Sequence, residues 1–283
     1  MKIFGVEEIP DRMFRRLTGV RKRTFAEMIA VLEQAEVERK AHGGKPNRLA
    51  METRLLMTLE YWQEYRTYLH IDHSYGVSES TAYRNIRWCE DTLTQSRAFT
   101  LPGKKALVTS DRIYEIVLID ATETPVERPP KKQRRHYSGK KKRHTLKTQL
   151  VVDNATGKII CLAHDAGRRH DFRLFRASGV RLHPETETIV DTGYMGLHKI
   201  HRKTTIPKKR SKKTSLSKED KQANCTISKN RVPAEHVIAC VRRFKIVSGR
   251  YRNRRKRFGL RFGLRFGLRF GLIAAAYNRD LTS

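Results

Sequence analysis

Apolar residues recur three or four positions apart through the first third of the chain, which is the spacing of amphipathic helices. Two such stripes precede residue 67, and their members are Phe25, Met28, Ile29 and Leu32, then Leu55, Leu56, Leu59 and Trp62. A compact unit follows, in which we predict a short helix, a turn at Tyr75-Gly76 and a longer helix from about Ser78. The longer helix has its own apolar stripe, made of Ala82, Ile86, Cys89 and Leu93. The pattern therefore predicts an all-helical domain over residues 1–95.

After a linker at residues 96–112, the pattern changes to short apolar runs that are typical of strands. Strands are predicted at residues 113–120, 145–153, 158–164 and 188–190. The run Ile116–Ile119 has no polar alternation, so it predicts a strand buried on both faces. Residues 199–229 are rich in Lys, Ser and Thr and predict a mobile basic loop, after which a helix is expected from about Pro233. The second domain, residues 113–283, is therefore expected to be α/β.

The charge of the chain narrows the class of partner. Lys and Arg number 60 against 29 acids, for a formal net charge of +31. Such an excess favours a polyanionic partner, above all nucleic acid. No apolar run approaches the roughly 20 residues that a membrane span needs, and the first residues lack the apolar core of a signal peptide. The four cysteines lack zinc-site spacing and are expected to be reduced thiols in a cytoplasmic protein.

The predicted helix-turn-helix suggests a surface that reads DNA. Polar residues that fall off the apolar stripe of its second helix include Ser80, Thr81, Arg84, Asn85 and Arg87, and the first four are the predicted DNA-reading residues. Short polar side chains and bidentate ones near the start of a recognition helix suit contacts with phosphates and base edges. An ordinary helical bundle with a solvated polar face is the alternative, and the large positive charge favours DNA binding over it.

Three acids suggest a metal-dependent site. Asp120 and Asp191 each end a short apolar strand, and Glu235 lies on the helix near Pro233. Two neighbouring strand ends and one adjacent helix can bring three carboxylates together, and oxygen ligands suit Mg²⁺ or Mn²⁺. Two such ions can stabilise the attacking and leaving oxygens of a displacement at phosphorus. Each acid taken singly also fits a turn or a helix start, so the hypothesis rests on the three together with the flanking cations.

Several sequence blocks resemble the DDE transposases of bacterial insertion sequences, and most of all the insertion sequence five family with its Harbinger relatives. The blocks are GVSESTAYRNI, IDATETPVERP, YSGKKKRHTLKTQ, His170-Asp171 and VDTGYMG, in the family's order. Arg231, Glu235 and Arg242 match the family's pattern around its third acid, although Ser228 stands where the family usually has Tyr. The resemblance implies a ribonuclease-H-like catalytic domain, a mixed sheet flanked by helices, preceded by the helix-turn-helix domain.

The resemblance also implies a function. Asp120, Asp191 and Glu235 would bind two divalent ions, and the protein would nick element ends and join their 3′ ends to target DNA, acting as a homodimer in the bacterial nucleoid. Further DNA contacts are expected from the basic residues Lys140, Lys141, Lys142, Arg143, Arg231 and Arg242. Two alternatives stay open: a catalytically inactive DNA-binding protein derived from a transposase, and a site-specific nuclease without strand transfer.

Residues 257–272 are the unit RFGL repeated four times without a difference. As a helix, a period of four drifts by about 40° per copy, so the four Phe residues cannot all share one face. As a strand, the same unit alternates cleanly. The family resemblance favours the helix, with surplus copies that expose an apolar ridge.

Overall fold

The computed structural model describes residues 6–41, 43–109, 113–131, 133–210, 215–252 and 261–282, with side chains from residue 265 onward in the last range. The chain divides into two compact units. The first contains Met1–Thr100, Val241–Gly249 and Leu264–Ser283, and the second contains Leu101–Cys240 and Arg250–Gly263. The sequence instead predicted that residues 113–283 form one domain.

The first unit is helical. Its helices are α1 Asp11–Thr18, α2 Lys22–Lys40, α3 Met51–Gln63, α4 Tyr68–Tyr75 and α5 Glu79–Gln95, together with the later helices α9 Lys245–Ser248 and α10 Arg261–Leu281. Helix α1 ends at Gly19, whose φ of +82° suits glycine. A Cβ at Gly19 would lie 2.4 Å from the Phe244 ring and 2.7 Å from the Gln63 side-chain oxygen, so the close packing also requires glycine.

Helices α4 and α5 form the predicted helix-turn-helix. Helix α4 ends at Gly76 in the left-handed conformation, with φ of 63°. Ser78 caps α5, because its hydroxyl accepts a hydrogen bond from the Thr81 backbone N–H at 3.3 Å. The predicted apolar stripe of α5 is buried. The turn, the cap and the buried stripe confirm the helix-turn-helix that the sequence predicted.

The last two RFGL copies are part of this helical unit. Phe266 and Phe270 are fully buried on α10, which confirms a helix but contradicts an exposed apolar ridge for these copies. The same copies supply Arg265 and Arg269, which pair with the buried Glu90 of α5. Two kinds of contact therefore hold α10 in place: its buried aromatic rings and its ion pairs with Glu90. The Phe side chains of the first two copies lie outside the described residues.

The second unit is an α/β fold with a mixed sheet. Its strands are β1 Ile116–Pro125, β2 Tyr137–Ser138, β3 Arg143–Asp153, β4 Ile159–Ala166, β5 Glu187–Val190 and β6 Thr204–Thr205. Its helices are α6 Gln133–His136, α7 Asp171–Ser178 and α8 Lys218–Arg242, whose last two residues belong to the helical unit. The strand order is β2-β3-β1-β5-β6, and β4 also pairs with β3. Only β1–β5 and β5–β6 are parallel among these pairs.

One face of this sheet carries the core of the unit. Val117, Ile119, Val151 and Val190 pack there with Phe175 of α7, and neighbouring short helical turns add further apolar side chains. An all-α helix-turn-helix unit thus precedes a ribonuclease-H-like mixed sheet flanked by helices, as the sequence predicted. The structure confirms this fold class.

Two predicted boundaries are wrong. Strand β1 continues five residues beyond Asp120, because β3 still pairs with it after β5 has ended. Helix α8 begins at Lys218, so residues 218–229 are helical and not part of a loop. Glu219 and Asp220 lie in its first turn, where acids favour the helix N-terminus, and the Ser217 hydroxyl accepts from the Asp220 N–H at 3.1 Å.

Candidate active site at the end of the parallel strand pair

Asp120 and Asp191 occupy equivalent positions on neighbouring parallel strands. The pairing of β1 with β5 ends at Ile119 and Val190, which are register partners. Each acid is the next residue along its strand, so both stand where the parallel pair opens. The carboxyl ends of parallel strands are where open α/β sheets place their ligands. The sequence predicted this adjacency, and the register explains it.

Local backbone contacts hold both carboxylates in place. Asp120 Oδ1 accepts a hydrogen bond from the Ala121 N–H at 2.8 Å. Asp191 Oδ1 accepts from the Gly193 N–H, also at 2.8 Å, and so caps the short helical turn Thr192–Tyr194. Each acid keeps its second oxygen for other partners. The backbone therefore orients the two carboxylates without using up their acceptors.

Helix α8 supplies a cation and the third acid. Arg231 Nη2 lies 3.4 Å from Asp120 Oδ2, and Glu235 follows one helical turn later. Glu235 is exposed, whereas Asp120 and Arg231 are partly buried. The structure therefore places Arg231, which the sequence assigned to DNA, against a carboxylate.

The electrostatics of Asp120 link it to the other two acids. Burial, assisted by the charges of Asp191 and Glu235, raises the pKa of Asp120 to about 6 against the opposing effects of the Ala121 N–H and Arg231. An acid with so little compensation favours a bound cation, and carboxylate oxygens suit Mg²⁺ and Mn²⁺. Across the described residues, no three His, Cys, Asp or Glu side chains are close enough to hold a metal ion as they stand. A ligand role for the exposed Glu235 therefore requires its side chain to turn inward.

Three further polar residues lie at this site, and sequence reasoning did not assign them to it. Asp171, the first residue of α7, pairs with Lys147 of β3 at 2.6 Å and does not cap the helix, since His170 holds the cap position. Burial raises the pKa of Tyr194 well above its ordinary value, and the charges of Asp171, Asp120 and Asp191 raise it further. The His170-Asp171 block of the family resemblance was the available signal for Asp171.

The recognition helix exposes part of the predicted DNA-reading set. Ser80 and Arg84 are exposed on α5, and Thr81 is half-buried. Asn85 is only 8% exposed, and its side-chain oxygen accepts from Arg54 Nε at 3.0 Å. The structure therefore corrects the prediction for Asn85, because a side chain that satisfies a buried arginine is not presented to a base edge. Tyr83, which the sequence did not single out, is 44% exposed on the same helix.

The remaining predicted DNA contacts lie in different settings. The basic residues of the turn between β2 and β3 are all exposed: Lys140, Lys141, Lys142 and Arg143. Lys142 adopts a φ of 53°, which helps to form this turn. Arg242 is half-buried at the last position of α8. The turn is therefore the best-presented cationic surface among the predicted contacts.

Comparisons with known proteins match both units. A family model described as "DDE superfamily endonuclease" matches residues 119–260, and one described as "Helix-turn-helix of DDE superfamily endonuclease" matches residues 47–99. The chain is 43% identical over 281 residues to the "Probable transposase for insertion sequence element IS702" of Microchaete diplosiphon, covering 99% of each chain. No solved structure matches. Across the described ranges, every helix falls short of the length or apolar character that a membrane crossing requires.

Proposed function

The chain belongs to the DDE superfamily of insertion-sequence transposases, and on that premise we propose that it nicks the ends of its element and joins the freed 3′ ends to target DNA. In the first step water attacks a phosphorus at the element end, and the bond from that phosphorus to the 3′ oxygen of the element breaks. In the second step the new 3′ hydroxyl attacks a target phosphorus, and one phosphodiester replaces another. Neither step needs an oxidant or a nucleotide cofactor.

The observation that carries this proposal is the register of the parallel strand pair, which makes Asp120 and Asp191 neighbours beside Glu235. Carboxylate oxygens are the ligands that Mg²⁺ and Mn²⁺ take, so the donor set fits two divalent ions. Such ions, when bound, stabilise the attacking and leaving oxygens of an in-line displacement. We assign the ligand role to these three acids.

The protein's own residues prepare the site for a polyanion. Asp120 and Asp191 are oriented by backbone N–H groups, so they lose little freedom when they bind a cation. Arg231 compensates part of the negative charge at Asp120 and can turn toward a phosphate, because its contact of 3.4 Å is long for a charged pair. The exposed Glu235 is free to complete the set from the helix side.

Specific end binding is assigned to the helix-turn-helix. Ser80, Thr81 and Arg84 present polar atoms at the start of α5, and the exposed Lys140–Arg143 turn offers phosphate contacts that carry no sequence information. Because an insertion element has two ends, we propose that two copies of the chain act together as a homodimer. A location at the bacterial nucleoid in the cytoplasm follows from the DNA substrate and belongs to the same proposal.

The test is incubation of the purified chain with labelled DNA from the ends of its own element, with Mg²⁺ or Mn²⁺ and an unlabelled target plasmid. Denaturing gels report the 3′ nick, and a shift of label into the plasmid reports joining. Nicking with joining supports the proposal. Nicking without joining favours the site-specific nuclease. End binding without any cleavage, under both ions, favours the inactive DNA-binding protein.

A further inference from the structure

A buried lysine lies behind the acidic site. Lys147 is 8% exposed, and its ammonium donates to Asp171 Oδ1 at 2.6 Å and to the Arg169 carbonyl at 2.8 Å. Glu123, its register partner on β1, places a carboxylate oxygen 3.7 Å from the same nitrogen. A buried cation with these partners holds the Asp171 side chain in one orientation.

Asp171 in turn lies against the turn that follows Asp191. An ideal Cβ built on Gly193 would be 2.4 Å from Asp171 Oδ2 and 2.9 Å from Asp191 Oδ1. The two carboxylates therefore face each other across a residue that has no side chain. The Gly193 N–H is also the group that orients Asp191. A physical path thus runs from Lys147 through Asp171 and Gly193 to Asp191.

An independent observation points to a ligand at the same place. Tyr194 is fully buried, and its hydroxyl has no hydrogen-bond partner among the described residues. The charges that act on this phenol are those of Asp171, Asp120, Asp191 and Arg231. A buried donor without an acceptor is energetically costly, so such a group usually donates to a ligand or an ordered water. The phenol is therefore a buried donor, within reach of these charges, that no described residue uses.

A second buried polar side chain lies on the sheet, next to Lys147 on β3. Gln149 is 1% exposed, and both polar atoms of its side chain lack hydrogen-bond partners among the described residues. Alternate residues of a strand share a face, so Gln149 lies between the core residue Val151 and Lys147 on the same side of β3. Its register partners on both neighbouring strands are small, Ala121 and Ala163.

We propose that the Lys147–Asp171 pair is a positioning device for Asp191, and that the Tyr194 hydroxyl donates to a carboxylate or water of the ion-loaded site. This inference rests on the proposed function. Lys147 neutralises Asp171, which would otherwise add a fourth uncompensated negative charge and be repelled from Asp191. Asp171 in return keeps the ammonium away from Asp191, where it would compete with a divalent ion. The pair therefore supports the acid without occupying its oxygens.

The test compares Asp171→Asn, Lys147→Met, the double variant and Tyr194→Phe in the full chain. Mn²⁺ binding to the DNA-free protein is measured directly by electron paramagnetic resonance, and the Mg²⁺ dependence of nicking is measured in parallel. Each single variant of the pair should weaken ion binding and raise the half-saturating Mg²⁺ concentration about 10- to 100-fold, the usual effect of groups that orient metal ligands. The double variant should lose less than the two single losses combined, because it leaves no unpaired charge.

Tyr194→Phe separates positioning from packing. Removing a hydroxyl without a partner should leave the melting temperature equal or higher. A purely structural role would change nothing else. The proposal instead predicts that nicking falls and that its Mg²⁺ dependence shifts. Lys203→Met is the matched control, because Lys203 pairs with Glu185 at 2.6 Å on the exposed surface of the same unit. That variant should bind Mn²⁺ and nick as the unmodified chain does.

The outcomes distinguish the two proposals. Unchanged Mn²⁺ binding and Mg²⁺ dependence in both pair variants would overturn the positioning role while leaving the transposase function intact. Weakened Mn²⁺ binding in a chain that never nicks DNA would uphold the positioning role and refute the function. A lower melting temperature with unchanged ion binding would show that the Lys147–Asp171 pair is only a structural contact. An unmodified chain that binds no Mn²⁺ would refute both the positioning role and the proposed function.

Discussion

Two clusters of acids and arginines, one in each unit, handle buried charge in opposite ways. In the helical unit the carboxylate of Glu90 is fully buried and accepts from Arg269 Nε at 2.6 Å, Trp62 Nε1 at 3.0 Å and Arg265 Nη1 at 3.1 Å. In the α/β unit Asp120 accepts from the Ala121 N–H and has one long contact of 3.4 Å to Arg231, and burial together with two nearby acids raises its pKa.

We interpret the difference as that between a structural acid and a functional one. A buried acid with several donors is satisfied, so its loss harms the fold by stranding its partners. A partly buried acid among like charges is under-compensated, and it gains most from a cation that the protein itself does not supply. Both clusters contain arginine and carboxylate, so composition alone does not distinguish them.

Removing a carboxylate of the under-compensated cluster should have the largest effect. Asp120→Asn, Asp191→Asn and Glu235→Gln should each lower nicking more than about a hundredfold, beyond the range seen for groups that only orient a ligand. Binding of element ends in a gel-shift assay should be equal or stronger, because a negative charge near the phosphates is lost. Glu185→Gln, at an exposed acid of the same unit, is the control. Full nicking by any one of the three variants would remove that residue from the site.

Breaking the Glu90 cluster of the helical unit should lower folding stability and leave nicking by the folded protein unchanged. Glu90→Gln leaves Arg269, which is 5% exposed, without its charged partner, so the helical unit should lose about 3–5 kcal/mol in urea unfolding. Asp91→Asn is the matched variant one position away, where the pair with Arg265 is partly exposed and should be worth less than about 1 kcal/mol. Equal losses at positions 90 and 91 would contradict the contrast between the two clusters.

An exposed arginine with few protein contacts should act on DNA specificity. Arg84 donates only to its own helix, at the Ser80 carbonyl, among the contacts observed for it in the described residues. Arg84→Ala should therefore reduce discrimination between element ends and random DNA by about 1–3 kcal/mol, measured by competition binding. Asn85→Ala should instead lower the melting temperature, because it deprives the buried Arg54 of an acceptor. An unchanged specificity ratio for Arg84→Ala would show that α5 is not the reading helix.

The smallest expected effect is a pH dependence in the helical unit. Burial raises the pKa of Glu36, but hydrogen bonds from Lys40, Arg39 and Arg54 outweigh it and lower the pKa to about 2, from 4.5 in an unfolded chain. The ion pairs of Glu36 therefore contribute fully to folding stability above about pH 4.5, and this contribution is lost as the pH falls toward 2. Glu36→Gln should be less stable than the unmodified chain at pH 6, and the gap in urea midpoint should close near pH 2. A gap that is independent of pH would refute the ion pairing.

Much of the architecture could be predicted from periodicity. The apolar stripe of α5 and the turn at Gly76 gave the helix-turn-helix, since a helix must bury one face and a left-handed turn favours glycine. The run Ile116–Ile119 gave a buried strand, but its end was set five residues too early. The pattern reports where an apolar face stops, whereas the pairing with β3 decides where the strand stops.

What the sequence by itself determined is the helix-turn-helix, the buried strands and the pair Asp120 and Asp191, because each follows from a local period or from one acid after an apolar run. Only the tertiary structure decided that Asn85 is buried, that Lys147 pairs with Asp171, and that the arginines of two RFGL copies pair with Glu90. The physical reason is that the partner of a charge is chosen by long-range packing. Lys147 and Asp171 are 24 positions apart and Glu90 and Arg269 are 179 apart, and no local period spans such separations.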